Sequence, residues 1–228
     1  MKEKPILFSD EMVRAILDSR KSQTRRVINP QPVQVGERWE WTPKGKALYH
    51  SDWLIGRKPP PTMLAGAPYQ VGDHLWVREA LRRGPELYPP KFHLGTGRYG
   101  ITYSADLTPM DCRDGPKECM YGRAAWQWKH AYLPSRFMPK WATRIWLEVT
   151  DKRAEQVQDI SEEDARAEGA EPVMKDSGGF EPMGSPCPEI PHYGEGFAML
   201  WDGINAKRGY PFADNPWVFV YAFSHLTG

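Results

Sequence analysis

Apolar positions along this 228-residue chain come in short runs divided by long polar stretches. Met12, Val13, Ile16 and Leu17 recur at helical spacing behind Ser9 and Asp10, either of which can cap a helix. The pattern predicts a strand at Pro5–Phe8, a helix ending near Ser19, and a strand from Thr24 to Ile28 that the Asn29–Gln34 stretch breaks. Val71-Gly72-Asp73 reads as a turn into a strand at Leu75–Leu81, and a further strand is expected around Ile101–Ser104. From Thr143 to Thr150 the chain alternates, with Ile145, Leu147 and Val149 opposite Arg144, Trp146 and Glu148. Ser161-Glu162-Glu163-Asp164 opens a short helix to about Glu168. Phe197, Leu200, Trp201 and Ile204 form an amphipathic helix stopped by Gly209, and Trp217–Phe223, apolar on both faces, reads as a buried strand.

The sum is five or six short strands and three short helices. Strands do not alternate with long helices, so a Rossmann-type sheet is not expected. The predicted fold class is α+β: a small, mostly antiparallel β-barrel with short helices at its rim. A single domain over 1–228 carries long Pro/Gly-rich insertions at about 35–70, 82–135 and 170–194. The first holds a possible hairpin around Pro43-Lys44-Gly45 and closes on the triple proline Pro59–Pro61.

Composition sharpens this picture. The 22 prolines accompany 10 Trp, 10 Tyr and 8 Phe, which fits ordered loops pinned over a core. No apolar run is long enough for a transmembrane helix, and the opening MKEKPILFSDEM lacks a signal-peptide core, so no membrane partner and a cytoplasmic location are expected. Three cysteines argue against a disulfide framework. Cys112, Cys119, Cys187 and His192 could supply four zinc ligands from two loops, but their spacing matches no zinc ribbon or finger. Free thiols, with no metal or other cofactor, are the expectation.

Lys plus Arg is 30 against 29 for Asp plus Glu, so net charge argues for no partner. Its distribution is uneven. Residues 119–147 carry no acid but hold Arg123, Lys129, Arg136, Lys140 and Arg144, whereas 151–189 hold eleven acids against four bases. This predicts a basic and an acidic face, or else two ordinary solvated surfaces. Basic and aromatic residues interleave from Arg123 to Trp146, among them Lys140, Trp141 and Arg144. Such cations can track phosphates while indoles stack on bases, or the indoles can anchor an insertion.

The densest chemistry lies in Ser19-Arg20-Lys21-Ser22-Gln23-Thr24-Arg25-Arg26, where the first helix gives way to a strand. Five bases (Arg14, Arg20, Lys21, Arg25, Arg26) face one acid, Asp18. Such a cluster can hold an anion, or simply meet the negative end of the helix dipole.

This segment resembles the signature of the ASCH family in the PUA-like superfamily, Gly-x-Lys-x-x-(Glu or Thr)-x-Arg. Ser19 stands at the Gly position, Lys21 at the Lys, Thr24 at the Glu/Thr position and Arg26 at the Arg. Further stretches are similar to long ASCH proteins of phages and prophages: Pro5–Phe8 with Glu11-Met12-Val13, Gly72–Glu79, Met138–Ala142, Asp159–Ala165 and Asn215–Val218. The resemblance implies a PUA-like barrel with a cleft that binds RNA or a modified nucleoside. One bacterial branch removes the acetyl group from N4-acetylcytidine with a Lys, a Thr and a later Glu. Lys21 and Thr24 match the first two; Glu168 matches the third, with Glu163 as the substitute. In that reading Thr24 is the nucleophile, Lys21 its base, Glu168 the group that positions water or protonates the leaving amine, and Arg26 an anion or oxyanion ligand. Arg20 and Arg25 join the substrate-binding set. Arg78 and Glu79, at the Gly-Asp turn, form a second candidate in which Glu79 can pair with Lys21 or Arg26. Three functions follow as expectations: an N4-acylcytidine amidohydrolase, a non-catalytic reader of RNA or a modified nucleotide, and a ribonuclease.

Overall fold

The computed structural model describes residues 1–35, 38–41, 61–86, 99–110, 119–120, 123–124, 126, 128–176 and 189–226. In chain order the elements are β1 (Glu3–Leu7), α1 (Asp10–Leu17), β2 (Gln23–Val27), β3 (Val33–Val35), β4 (Arg38–Glu40), α2 (Pro61–Ala65), β5 (His74–Arg78), β6 (Leu81–Glu86), β7 (Tyr99–Tyr103), β8 (Cys119–Met120), β9 (Arg123–Ala124), β10 (Tyr132–Leu133), β11 (Trp146–Gln156), α3 (Glu162–Ala167), β12 (Val173–Asp176), β13 (Glu189–His192), α4 (Tyr193–Asn205) and β14 (Trp217–His225). The fold is mixed α+β, mostly strands with few helices. Among the described residues the strands do not close into a barrel. No described helix is long and apolar enough to cross a membrane.

The chain divides into two compact units. The first comprises Met1–Ser19, Gly72–Glu148 and Ser224–Gly228. Here β1 pairs with β5 in parallel, and β5 pairs antiparallel with the start of β11. Gly72, at φ +81°, makes the turn that the Gly-Asp pair predicts. Asp73 then accepts from the backbone N–H of Lys2 at 3.2 Å and from Lys4 Nζ at 2.6 Å, tying β1 to the turn.

The expected strand Leu75–Leu81 is two strands. Val77 N–H still bonds to Ile145 O, but Glu79 N–H turns to Met138 Sδ, and the chain leaves one ladder for another. In that second ladder, β10-β6-β7, the strand expected around Ile101–Ser104 is β7, while β6 runs on into the stretch expected to be irregular. Gly84-Pro85 hid it: the register shifts between Arg83 and Glu86, a break that spoils period-two alternation. Leu81, Ile101, Tyr103, Met110, Leu133 and Met138 bury themselves together there, with Trp126, Trp128 and Trp141 packed against them. Each large side chain so buried contributes about 1.5–3 kcal/mol.

The second unit comprises Arg20–Val71 and Val149–Phe223. β14 pairs antiparallel with β2, setting Tyr221 opposite Thr24, Val220 opposite Arg25 and Phe219 opposite Arg26. Val157, Ala165, Phe197, Trp201, Val218 and Val220 form its core. The stretch 170–194, expected as loop, holds the antiparallel β12–β13 pair and the first two residues of α4. The Pro43-Lys44-Gly45 hairpin and Pro59 and Pro60 lie outside the described residues.

Candidate functional site

Ser9 caps α1 by accepting from Met12 N–H, and the helix closes at Asp18. Ser19 follows at φ +58°, a left-handed conformation that favours glycine. The backbone therefore adopts at Ser19 the turn that a Gly would take there with less strain. Past it, Lys21 forms an isolated antiparallel bridge with Glu168, and Ser22 N–H bonds to Ala167 O at 2.9 Å.

Glu168 is placed from the other side. Ser161 caps α3 by accepting from Asp164 N–H at 3.1 Å, and Glu168 is its C-cap, followed by Gly169 at φ +79°. Lys21 Nζ donates to Glu168 Oε2 at 2.8 Å and to Glu168 O at 2.7 Å. The two side chains are 0% and 3% exposed. Arg25 NH1 reaches the other carboxylate oxygen, Oε1, at 3.1 Å. Burial pushes the Lys21 amine below its ordinary value of 10.5; the Glu168 charge and hydrogen bond oppose this, while Arg26 and Arg25 push it further down.

Arg25 is the hub of a wider network that sequence reasoning missed. Its Nε and NH2 donate to Glu155 Oε1 at 3.1 and 2.5 Å, and NH2 also meets Asp164 Oδ2 at 3.0 Å. Arg153 joins Glu155, Asp164 and Gln23. The Arg25 guanidinium lies 5.6 Å from the Phe197 ring centre. Burial disfavours ionisation of Asp164, but Arg153 and Arg25 outweigh it and hold this carboxyl below its usual range. The acid-rich stretch 151–189 was the available signal. Its Glu155, Asp164 and Glu168 all converge on Arg25, and Glu168 meets Lys21 as well.

Thr24 and Arg26 alternate with Arg25 along β2. Thr24 is 2% exposed and shares its ladder position with Tyr221. The Arg26 guanidinium is pushed below its ordinary range by burial, an effect that Tyr69 and Glu168 oppose. Tyr69 and Tyr221 meet edge to face at 5.1 Å. Both tyrosines, unmarked by any sequence pattern, have phenols raised by burial. Arg20 stands at the surface on Glu171 at 2.9 Å. Glu163, the substitute for Glu168, is exposed in the first turn of α3.

The other candidates belong to the first unit. Glu79, fully buried, takes both oxygens on Arg144: Nε to Oε1 at 2.9 Å and NH2 to Oε2 at 2.8 Å. Its pairing with Lys21 or Arg26, expected from sequence, is replaced by this two-point fork. Arg144 also donates to Asp106 and lies 3.9 Å from the Tyr103 ring centre. Burial weakens its charged state, but Glu79 and Asp106 prevail and raise its pKa. Arg78 donates to Arg136 O and stacks on Trp76. Lys140 pairs with Glu3, and Trp141 stacks on Trp128 within the core. Arg144 and Lys140 thus engage acidic partners within the protein, and Trp128 and Trp141 pack together.

Cys112 and Cys187 lie outside the described residues, as does the side chain of Cys119; His192 is the N-cap of α4. Among the described residues no group of three or more His, Cys, Asp or Glu could hold a metal ion. Family models, curated proteins and solved structures give no match to this chain.

Proposed function

We propose that the Lys21 cluster is the active site of an amidohydrolase acting on the N4-acyl group of a cytidine or related modified nucleoside, free or within RNA, in an ASCH-type, PUA-like barrel protein. The observation that carries this reading is a desolvated amine, hydrogen-bonded to a buried carboxylate, that shares the segment 21–24 with a threonine hydroxyl. The resemblance to the ASCH signature at Lys21, Thr24 and Arg26 supports the same assignment.

Thr24 Oγ1 attacks the acyl carbonyl, and Lys21, neutral at the start, takes the hydroxyl proton. Glu168 then faces an ammonium and stabilises it. Arg26 meets the oxyanion. As the C–N bond breaks, the proton held by Lys21 passes to the leaving amine of the base. Water then cleaves the acyl-threonine ester, releasing the acid and restoring the hydroxyl. Because the amine must begin neutral, turnover rises with pH through the Lys21 pKa, which lies below 10.5.

The reading is tested by incubating the pure protein with N4-acetylcytidine and separating the products. Cytidine from the wild type, and not from Thr24→Val or Lys21→Met, is the expected result. No cytidine at high enzyme concentration defeats it. A reader without catalysis is the second reading, favoured by how fully Lys21, Arg25 and Glu168 engage one another. It predicts salt-dependent RNA binding without cytidine, whereas a ribonuclease would cut unmodified RNA.

A further inference from the structure

In the first unit, an open cleft of about 490 Å³, lined by none of the residues of the proposed reaction, lies against α1 and the β10-β6-β7 sheet. Its volume suits a small organic ligand. Tyr132 and Arg82 stand directly opposite each other across β10 and β6, so both project from one face of that sheet. Ser104 sits beside them and is 7% exposed. Arg82 Nε donates to Ser104 Oγ at 2.9 Å, and Ser104 Oγ donates to Asp10 Oδ2 at 2.6 Å. The nearly buried hydroxyl thus links a guanidinium of the sheet to a carboxylate of the helix. Next to Asp10 on α1, Glu11 and, one turn on, Arg14 add a second pair of opposite charges, with Arg14 NH1 anchored on Ala105 O at 2.8 Å. Tyr132, with Arg82 5.6 Å from its ring centre, keeps 47% of its surface exposed.

We infer that this cleft is a second binding site, for a neutral ring that carries vicinal hydroxyls, such as a ribose or a pyranose. Two guanidiniums and two carboxylates line it, so their charges cancel. A polyanion would gain two cations but face two carboxylates. A hydroxyl group both donates and accepts, and it meets both needs where a carboxylate and a guanidinium are held side by side. Asp10 accepts one such hydroxyl, Arg82 donates to its neighbour, and Ser104 fixes the separation of the two. The Tyr132 ring supplies the flat apolar platform that a sugar ring covers.

The test is ligand-observed NMR and calorimetry on the full chain with methyl β-ribofuranoside, methyl glucoside, cytidine, 2′,3′-dideoxycytidine, phenylalanine and orthophosphate. Binding of at least one glycoside is expected, and which one binds separates a riboside from a hexose source. Asp10→Asn and Ser104→Ala should each weaken it about tenfold or more, while Lys21→Met leaves it unchanged. Tyr132→Ala, at a half-exposed position, provides a variant that keeps the fold and should also lose affinity. Glycoside binding that falls with Lys21→Met and not with Asp10→Asn overturns the proposal. So does a preference for phenylalanine or orthophosphate, or no glycoside binding. None of these outcomes depends on whether the Lys21 cluster hydrolyses an amide.

Discussion

Glu79 and Glu168 are both buried carboxylates with cationic partners, yet they are held differently. Glu79 gives both oxygens to one guanidinium, which a tyrosine ring and a second carboxylate hold in turn. Glu168 divides its oxygens between an amine and a different arginine, and its carbonyl takes the amine a second time. A guanidinium stays charged at any working pH; a desolvated amine can lose and regain a proton. The first arrangement therefore locks structure, and the second can do chemistry. Burial alone does not separate the two; the partner does.

The largest effect should come from Lys21→Met. It keeps the stem and removes the amine, and turnover on an N4-acylated cytidine should fall by about 10²–10⁴-fold. Lys21→Arg should not restore it, since a guanidinium cannot serve as the base; full activity in that variant would erase the contrast drawn above. Arg144→Ala strands Glu79 without its fork and should cost about 3–5 kcal/mol, read in denaturant or thermal unfolding. A cost below about 0.5 kcal/mol, the level of an exposed pair, would show that Glu79 is not locked.

Acid sharpens the comparison further. The folded pKa of Asp164 lies below its ordinary 3.8, so its contribution to stability is complete above that value and is lost as pH falls through the folded pKa. Asp164→Asn should flatten the acid limb of an unfolding-versus-pH curve. Lys21 has the same sense at higher pH: its folded pKa is depressed, so the unfolded chain binds more protons and stability rises with pH from that value toward 10.5. The smallest effect is expected at Ser19. Ser19→Gly relieves a left-handed residue but loosens the unfolded chain, for a net gain of about 0.5 kcal/mol. A loss in that variant would mean that the serine side chain matters to the turn.

Much of this was legible in the sequence. Ser9 and Ser161 announce helix starts, Gly72 and Gly209 adopt the positive φ their positions imply, and Ile145, Leu147 and Val149 bury one side of the alternating stretch. Lys21 and Glu168 were named together only through the resemblance to the ASCH signature and the later Glu that it implies. What stayed hidden depends on distant partners. Arg144 carries no mark of its fork with Glu79, because 65 positions separate them. Arg82, Ser104 and Asp10 become one relay only when a sheet and a helix meet. The β6–β7 ladder was obscured by a register shift, and such bulges erase the period by which a strand is recognised.

The parallel pairing of β1 with β5 bears on how the chain comes to be folded. Leu7 and His74 bracket a long intervening stretch, and closing a loop of that length costs roughly 3–4 kcal/mol before any contact compensates. β1 is thus made early and paired late. The first unit is also drawn from three separate pieces of chain, the last beginning at Ser224, where Leu226 N–H bonds to Trp146 O at 2.8 Å. During synthesis neither unit can be completed until β14 has emerged. The edge of β2, whose ladder partner is β14, must meanwhile wait unpaired, a state in which a second nascent copy could compete for it.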